Sequence, residues 1–288
     1  MKGNDMIKKV FQDLCSNIEI SCNSILTISG HKKEITSLID EYFNNKLATD
    51  KSQFIGSYGR NTAIFTENIR LLVAMPGEMY WQLSMGINNI LDEMKFALIK
   101  KYLSCEYSDN GNGLNINING DLSFEIVPGF MFDSGAYIYL CGRQWQRLNF
   151  NAEHNNFYQL NTKWNNNLVE LCRILKLWKN NRNVDISNIL VDTLAYHFFN
   201  YREDKEGYSY EIYDEMLVDF FKYLSQNCKK DSFISFDGET ILKKRIDLYD
   251  EAFFCTTSAE TALASAKCGM TREAVRDWQK ILGYSILS

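Results

Sequence analysis

Gly56-Ser57-Tyr58-Gly59-Arg60-Asn61-Thr62-Ala63-Ile64 and, shortly after it, Asn68-Ile69-Arg70-Leu71-Leu72-Val73-Ala74 form the stretch that decides how this chain folds. Ile69 to Ala74 is a short apolar run with polar turn residues before it and Pro76-Gly77 after it, which predicts a buried strand. Side chains two apart on a strand share a face, so residues 68 and 70 project together. The Gly-Ser turn in front of the strand presents backbone N–H groups and a hydroxyl, a combination that suits phosphate oxygens without a metal.

A second strand pair follows. Leu114, Ile116 and Ile118 alternate with asparagines, Asn119-Gly120 intervenes, and Leu122, Phe124 and Ile126 then alternate with Asp121, Ser123 and Glu125. Asn-Gly between alternating apolar residues predicts a hairpin. If strand 122–127 lies beside strand 69–74, Glu125 points toward residues 68 and 70. A two-metal phosphoryl-transfer site would carry carboxylates at such a pair, bridging divalent ions. Here the pair is an amide and a guanidinium, which leaves one acid where three are needed.

GSYGRNTAI at 56–64, the strand after it, FEIVPGF at 124–130, LCRILKLWK at 171–179 and ISNILVDTLAYHFF at 186–199 occur in one order. Together they resemble the bacterial cGAS/DncV-like nucleotidyltransferases, the SMODS family. YDEMLVDFFKYLS at 213–225 and the terminal W-x-x-I-L-G at 278–283 extend the resemblance to nearly the whole chain. Each motif is weak alone; their order and spacing make the set specific.

The resemblance implies an α+β fold, with a polymerase-β-like nucleotidyltransferase core of mixed sheet and helices packed on a helical lobe. The expected division is 1–165 for the core with its N-terminal helices and 166–288 for the lobe. Members make cyclic di- or oligonucleotides that activate antiphage effectors. Their Asp-x-Asp pattern falls on Asn68 and Arg70, and the third acid falls on Glu125. A Pro-Arg pair that commonly follows the central tryptophan is replaced by Phe150-Asn151 after Trp145. A basic residue on the central helix reaches nucleotide phosphates in the family, and here Lys176 is the candidate.

An Arg charge about 4 Å from a divalent ion, at an effective dielectric of ~20, gives repulsion of about 8 kcal/mol. No metal and no cofactor are therefore expected, and Glu125 is read as a remnant catalytic acid. Gly56, Ser57, Arg60, Arg70 and Lys176 are the candidate nucleotide-binding residues, with Arg70 supplying the charge an ion would otherwise bring. The expectation is a pseudoenzyme that binds a nucleotide, a cyclic oligonucleotide or a partner protein, such as a defence effector or an active paralogue. The alternative is an active Mg2+-dependent nucleotidyltransferase drawing its acids from Glu67, Asp121 and Glu125.

With 288 residues and 45% hydrophobic content, the chain can bury a core large enough for two lobes. A net charge of -5 argues against duplex nucleic acid as a partner. A local basic cleft from Arg60, Arg70, Arg173, Lys176 and Lys179 stays compatible with it. The first ten residues lack the apolar core of a secretory leader and no stretch is long enough to span a bilayer, so a cytoplasmic protein without membrane contact is expected. Eight cysteines without C-x-x-C or Cys/His spacing fit buried, reduced thiols. His197 reads as a satisfied core residue.

Two helices are expected within 1–46, punctuated at Ser29-Gly30, and one long amphipathic helix from Gly77 through Leu98. Residues 133–167 read as irregular, with Trp145 and Trp164 packing between lobes. Leu168, Leu171, Leu175 and Trp178 form a helical stripe, which the asparagines at 180–183 end. Asp185 or Ser187 then caps the next helix.

Overall fold

The expected central strand is β2 (Ile69–Pro76), in which Leu71 through Met75 are completely buried. A strand covered on both faces carries an unbroken apolar run, which is what the sequence shows there. The structure is a computed structural model describing residues 3–44, 47, 49–64, 69–85, 87–108, 111, 113–118, 122–132, 137–141, 144–148, 150–202 and 213–283.

Before β2 come α1 (Gly3–Ile18), α2 (Cys22–Tyr42), β1 (Gln53–Ile55) and the single helical turn α3 (Gly56–Gly59). After it come α4 (Ile87–Ile99), β3 (Glu106–Tyr107), β4 (Leu114–Asn117), β5 (Ser123–Met131), β6 (Tyr137–Cys141) and β7 (Gln144–Leu148). The remainder is α5 (Phe150–Lys163), α6 (Asn167–Asn181), α7 (Asn188–Tyr201), α8 (Tyr213–Asn227), β8 (Ser232–Ile234), β9 (Ile241–Lys243), α9 (Tyr249–Lys267) and α10 (Thr271–Leu282).

Among the described residues β1 to β7 form a mixed sheet, ordered β1-β2-β5-β4-β3, with β6 pairing β5 and β7 pairing β6. β5 runs parallel to β2, and all the other pairings are antiparallel. β4 and β5 make the expected hairpin, with Leu114 opposite Ile126 and Asn117 opposite Ser123. Its Asn119-Gly120 turn lies outside the described residues.

Alternation along β2 gives the sheet two different faces. Ile69, Leu71, Val73 and Met75 enter a core with Ile35 and Ile39 of α2 and Leu91, Met94 and Leu98 of α4. Leu72 and Ala74 enter a smaller cluster with Ile55, Val127, Tyr137 and Tyr139. Arg70 and Glu125 stand on this second face.

The chain groups into two units, Ile20–Asn151 and Met1–Glu19 with Ala152–Ser288. The sheet belongs to the first; the described part of the second is helical apart from the β8–β9 hairpin. The sequence suggests a single division at 165/166. In the structure α1 instead groups with the C-terminal helices, where Phe11 meets Trp278 edge-on at 5.3 Å.

Three local expectations are corrected. The first two helices break at 19–21, not at Ser29-Gly30, because Ser21 caps α2 by accepting from the Ser24 amide at 3.1 Å. Gly30 is exposed in mid-helix with open space around it, so α2 runs through it at a propensity cost of about 1 kcal/mol. The helix expected from Gly77 begins as a 3-10 stretch, Gly77–Met85, and becomes α-helical only at Ile87. Finally, 133–167 contains the β6–β7 hairpin and α5, not irregular chain. Tyr137 and Tyr139 alternate inward on β6, and Phe157, Leu160 and Trp164 mark one helical face beneath the asparagines.

α6 meets the expectation of a central helix, with Leu168, Leu171, Leu175 and Trp178 all fully buried. Two asparagines in left-handed conformation, Asn165 and Asn166, lead into it, and left-handed Asn183 follows its end. Ser187 caps α7, its hydroxyl accepting from the Leu190 amide.

Candidate functional site

The Gly-Ser segment is a helical turn wedged between β1 and β2. Gly56 has φ +68°, a left-handed conformation that L side chains rarely adopt, so glycine suits this reversal. At Gly59 a Cβ would come within 2.3 Å of the Phe54 carbonyl oxygen, so only hydrogen fits. The Arg60 amide donates to the Gly56 carbonyl at 3.1 Å and the Thr62 amide donates to the Ser57 carbonyl at 2.8 Å, closing the turn. Arg60 is buried, at 7% exposure.

β2 and β5 bring the next two residues together, since Arg70 and Glu125 are register partners on neighbouring parallel strands. Arg70 Nε donates to Glu125 Oε2 at 2.6 Å, a charge-assisted hydrogen bond of the strong class. The side chains are 27% and 17% exposed, respectively. A Cβ on Gly56 would sit 3.5 Å from Arg70 Cδ, so the glycine turn lies against the arginine stem. The expected meeting of residue 70 with Glu125 is therefore present, as a direct ion pair. Asn68, Glu67 and Asp121 lie outside the described residues.

The family resemblance implies divalent metal here, and the paired Arg70 and Glu125 do not fit it. Glu125, the acid that would share an ion, is engaged by a cation within hydrogen-bond distance. An approaching Mg2+ would meet the guanidinium, with repulsion of about 8 kcal/mol at 4 Å and an effective dielectric of ~20. Among the described residues no group of three or more His, Cys, Asp or Glu side chains is arranged to hold an ion.

The remaining candidates are occupied elsewhere. Lys176 belongs to the other unit, where its ammonium lies 3.2 Å from Asp192 Oδ1, with side chains 1% and 0% exposed. A lysine on an amphipathic helix suggests a face open to ligand or water; Asp192 on α7 supplies a buried partner that helical spacing on α6 could not reveal. Arg173 bonds Glu19 at 3.2 Å and Glu170 at 3.3 Å. Lys179 donates to Asn188 Oδ1 at 2.7 Å.

Trp145 packs on Tyr80 and Phe130, and Trp164 on Phe199, each within its own unit. His197 Nε2 lies 2.6 Å from the Ile234 carbonyl, as suits a structural histidine. Cys15, Cys105, Cys172, Cys228 and Cys255 are free and buried, while Cys22 and Cys268 are free and exposed. No described helix is long and apolar enough to cross a membrane.

Residues 6–161 match the model of the Second Messenger Oligonucleotide or Dinucleotide Synthetase (SMODS) domain. The chain belongs to that family. A protein of Bacillus cereus (strain VD146), named a probable cyclic nucleotide synthase, is 23% identical over 208 residues, covering 67% of this chain and 61% of its own length. The match thus spans about three fifths of that relative. The structure of Escherichia coli MS115-1 CdnC with ATP superposes with a TM-score of 0.76 at 13% identity, covering 98% of each chain. Vibrio cholerae DncV, a cyclic AMP-GMP synthase solved with a linear intermediate, gives 0.63 at 14% identity, covering 99% of this chain and 88% of its own. The chain therefore has the α+β fold of the CD-NTases.

Proposed function

We propose that this chain is a catalytically silent member of its family, one that binds a nucleotide or oligonucleotide ligand at the sheet without polymerising it. The observation that carries the reading is the 2.6 Å bond between Arg70 and Glu125, which places a fixed organic cation beside the acid that would otherwise coordinate metal. Without divalent ions neither an attacking hydroxyl nor a leaving pyrophosphate is stabilised. The guanidinium nevertheless remains a phosphate-binding group. Gly56 and Ser57 frame it on the chain side, and a cytoplasmic defence setting with an effector or an active paralogue as partner follows from the family's role.

Incubation of the full chain with radiolabelled ATP and GTP plus Mg2+ or Mn2+ is expected to yield no product above a no-protein control. Titration calorimetry against nucleoside triphosphates and cyclic dinucleotides is expected to show binding that does not require Mg2+. Absence of any binding with or without Mg2+ removes the ligand half of the reading.

Family membership, together with the synthase name of the Bacillus cereus relative, favours one other reading, an active synthase of cyclic oligonucleotides. Robust product that disappears in Glu125→Ala establishes that reading and overturns the first.

A further inference from the structure

The geometry points to a narrower ligand class: we infer that the Arg70–Glu125 pair reads a single phosphodiester, so that the ligand is a cyclic or linear oligonucleotide and not a 5′-polyphosphate. This deepens the reading above and rests on it.

The guanidinium is held through one nitrogen only. Nε is committed to Glu125, and among the described residues neither terminal nitrogen donates to an acceptor. A guanidinium fixed at Nε keeps its terminal N–H groups in one plane, a fork that matches two oxygens of a single phosphate. Glu125 Oε2 takes the arginine bond, and Oε1 accepts none among the described residues. A donor fork beside a free carboxylate oxygen complements a phosphodiester with its neighbouring ribose hydroxyl, because the diester accepts and the hydroxyl donates.

Charge separates diesters from polyphosphates. Arg70 and Glu125 sum to zero, so the pair tolerates one added negative charge, whereas several would face the carboxylate without compensation. Metal cannot supply that compensation beside Arg70, as shown above. Arg173 is committed to Glu19 and Glu170, and Lys176 to Asp192. Arg60 is buried and engaged within the structure. A nucleoside triphosphate therefore brings more charge than the Arg70–Glu125 pair neutralises.

Titration calorimetry of the full chain in EDTA tests this, with ApA, GpG, cyclic di-AMP and cyclic di-GMP set against ATP and GTP. At least one diester is expected to bind tenfold or more tightly than either triphosphate, with affinity unchanged by Mg2+. Arg70→Ala is expected to weaken that binding about tenfold or more, and Arg70→Lys, which keeps the charge and loses the fork, to weaken it by less. Thermal unfolding of both variants, checked in parallel, separates lost binding from lost fold; if Arg70→Ala unfolds, Arg70→Lys carries the test. Triphosphate binding that exceeds diester binding and ignores Mg2+ overturns the inference and leaves the ligand-binding reading standing. Triphosphate binding that requires Mg2+ overturns both, as does no binding by any of the six ligands.

Discussion

Arg70–Glu125 on the sheet and Lys176–Asp192 between α6 and α7 are ion pairs in opposite surroundings. The first has side chains 27% and 17% exposed, the second 1% and 0%. Water reaches the sheet pair, so its desolvation cost is modest and an incoming anion can share its guanidinium. The helical pair has given up its hydration, and each buried charge is offset by the other. Both positions belong to motifs shared with the family, yet only the first of these two pairs is open to solvent.

Removing one partner tests the comparison most severely. Lys176→Ala is expected to cost about 3–5 kcal/mol in urea denaturation, since the buried Asp192 then loses the Lys176 charge. Lys176→Met combined with Asp192→Leu is expected to recover most of that loss. A cost below about 1 kcal/mol for Lys176→Ala would show the helical pair to be as dispensable as a surface one.

Asp214, 3% exposed at the start of α8, shows what burial does to a carboxylate. Burial pushes its pKa up from 3.8 to about 6. The folded state therefore holds the proton more tightly than the unfolded chain does. The stabilisation from that protonation is complete below pH ~4 and is lost as pH rises through ~6. Asp214→Asn is expected to be more stable than the parent at pH 7.5, by about 2–3 kcal/mol, and indistinguishable from it near pH 4. Equal stabilities at both pH values would mean that burial does not penalise this charge.

At the exposed end, Arg70→Ala is expected to change stability by about 1 kcal/mol or less, with the difference shrinking as salt rises from roughly 0.05 to 0.5 M. A larger, salt-independent loss would place Arg70 with Lys176 as a structural cation. Gly30→Ala supplies the scale for such small effects, because it fills open space on an exposed helix. It is expected to stabilise by about 0.5–1 kcal/mol with no change in ligand binding, read from the same urea curves.

The sheet and its neighbours were legible because their signals are local. Period-two alternation with Asn-Gly announced β4 and β5, and an unbroken apolar run announced β2. Alternation on strands 69–74 and 122–127, taken as neighbours, turns Glu125 toward residue 70. α5 was hidden because asparagines dominate its composition, while its burial depends on only a few apolar positions. The α2 boundary was misplaced because Gly30 is a weak breaker when nothing crowds it, and Ser21 is the stronger cap. Asp192 was invisible for a different reason: a counter-ion contributed by another helix leaves no trace in the spacing of the helix that carries Lys176.

Register between β2 and β5 also limits what position 70 can carry. With residues 70 and 125 directly across from one another, Arg70→Asp would set two carboxylates side by side on adjacent strands, a destabilising arrangement. The parallel register thus makes the charge at position 70 the lever on Glu125: a cation there holds the carboxylate, and an anion there repels it.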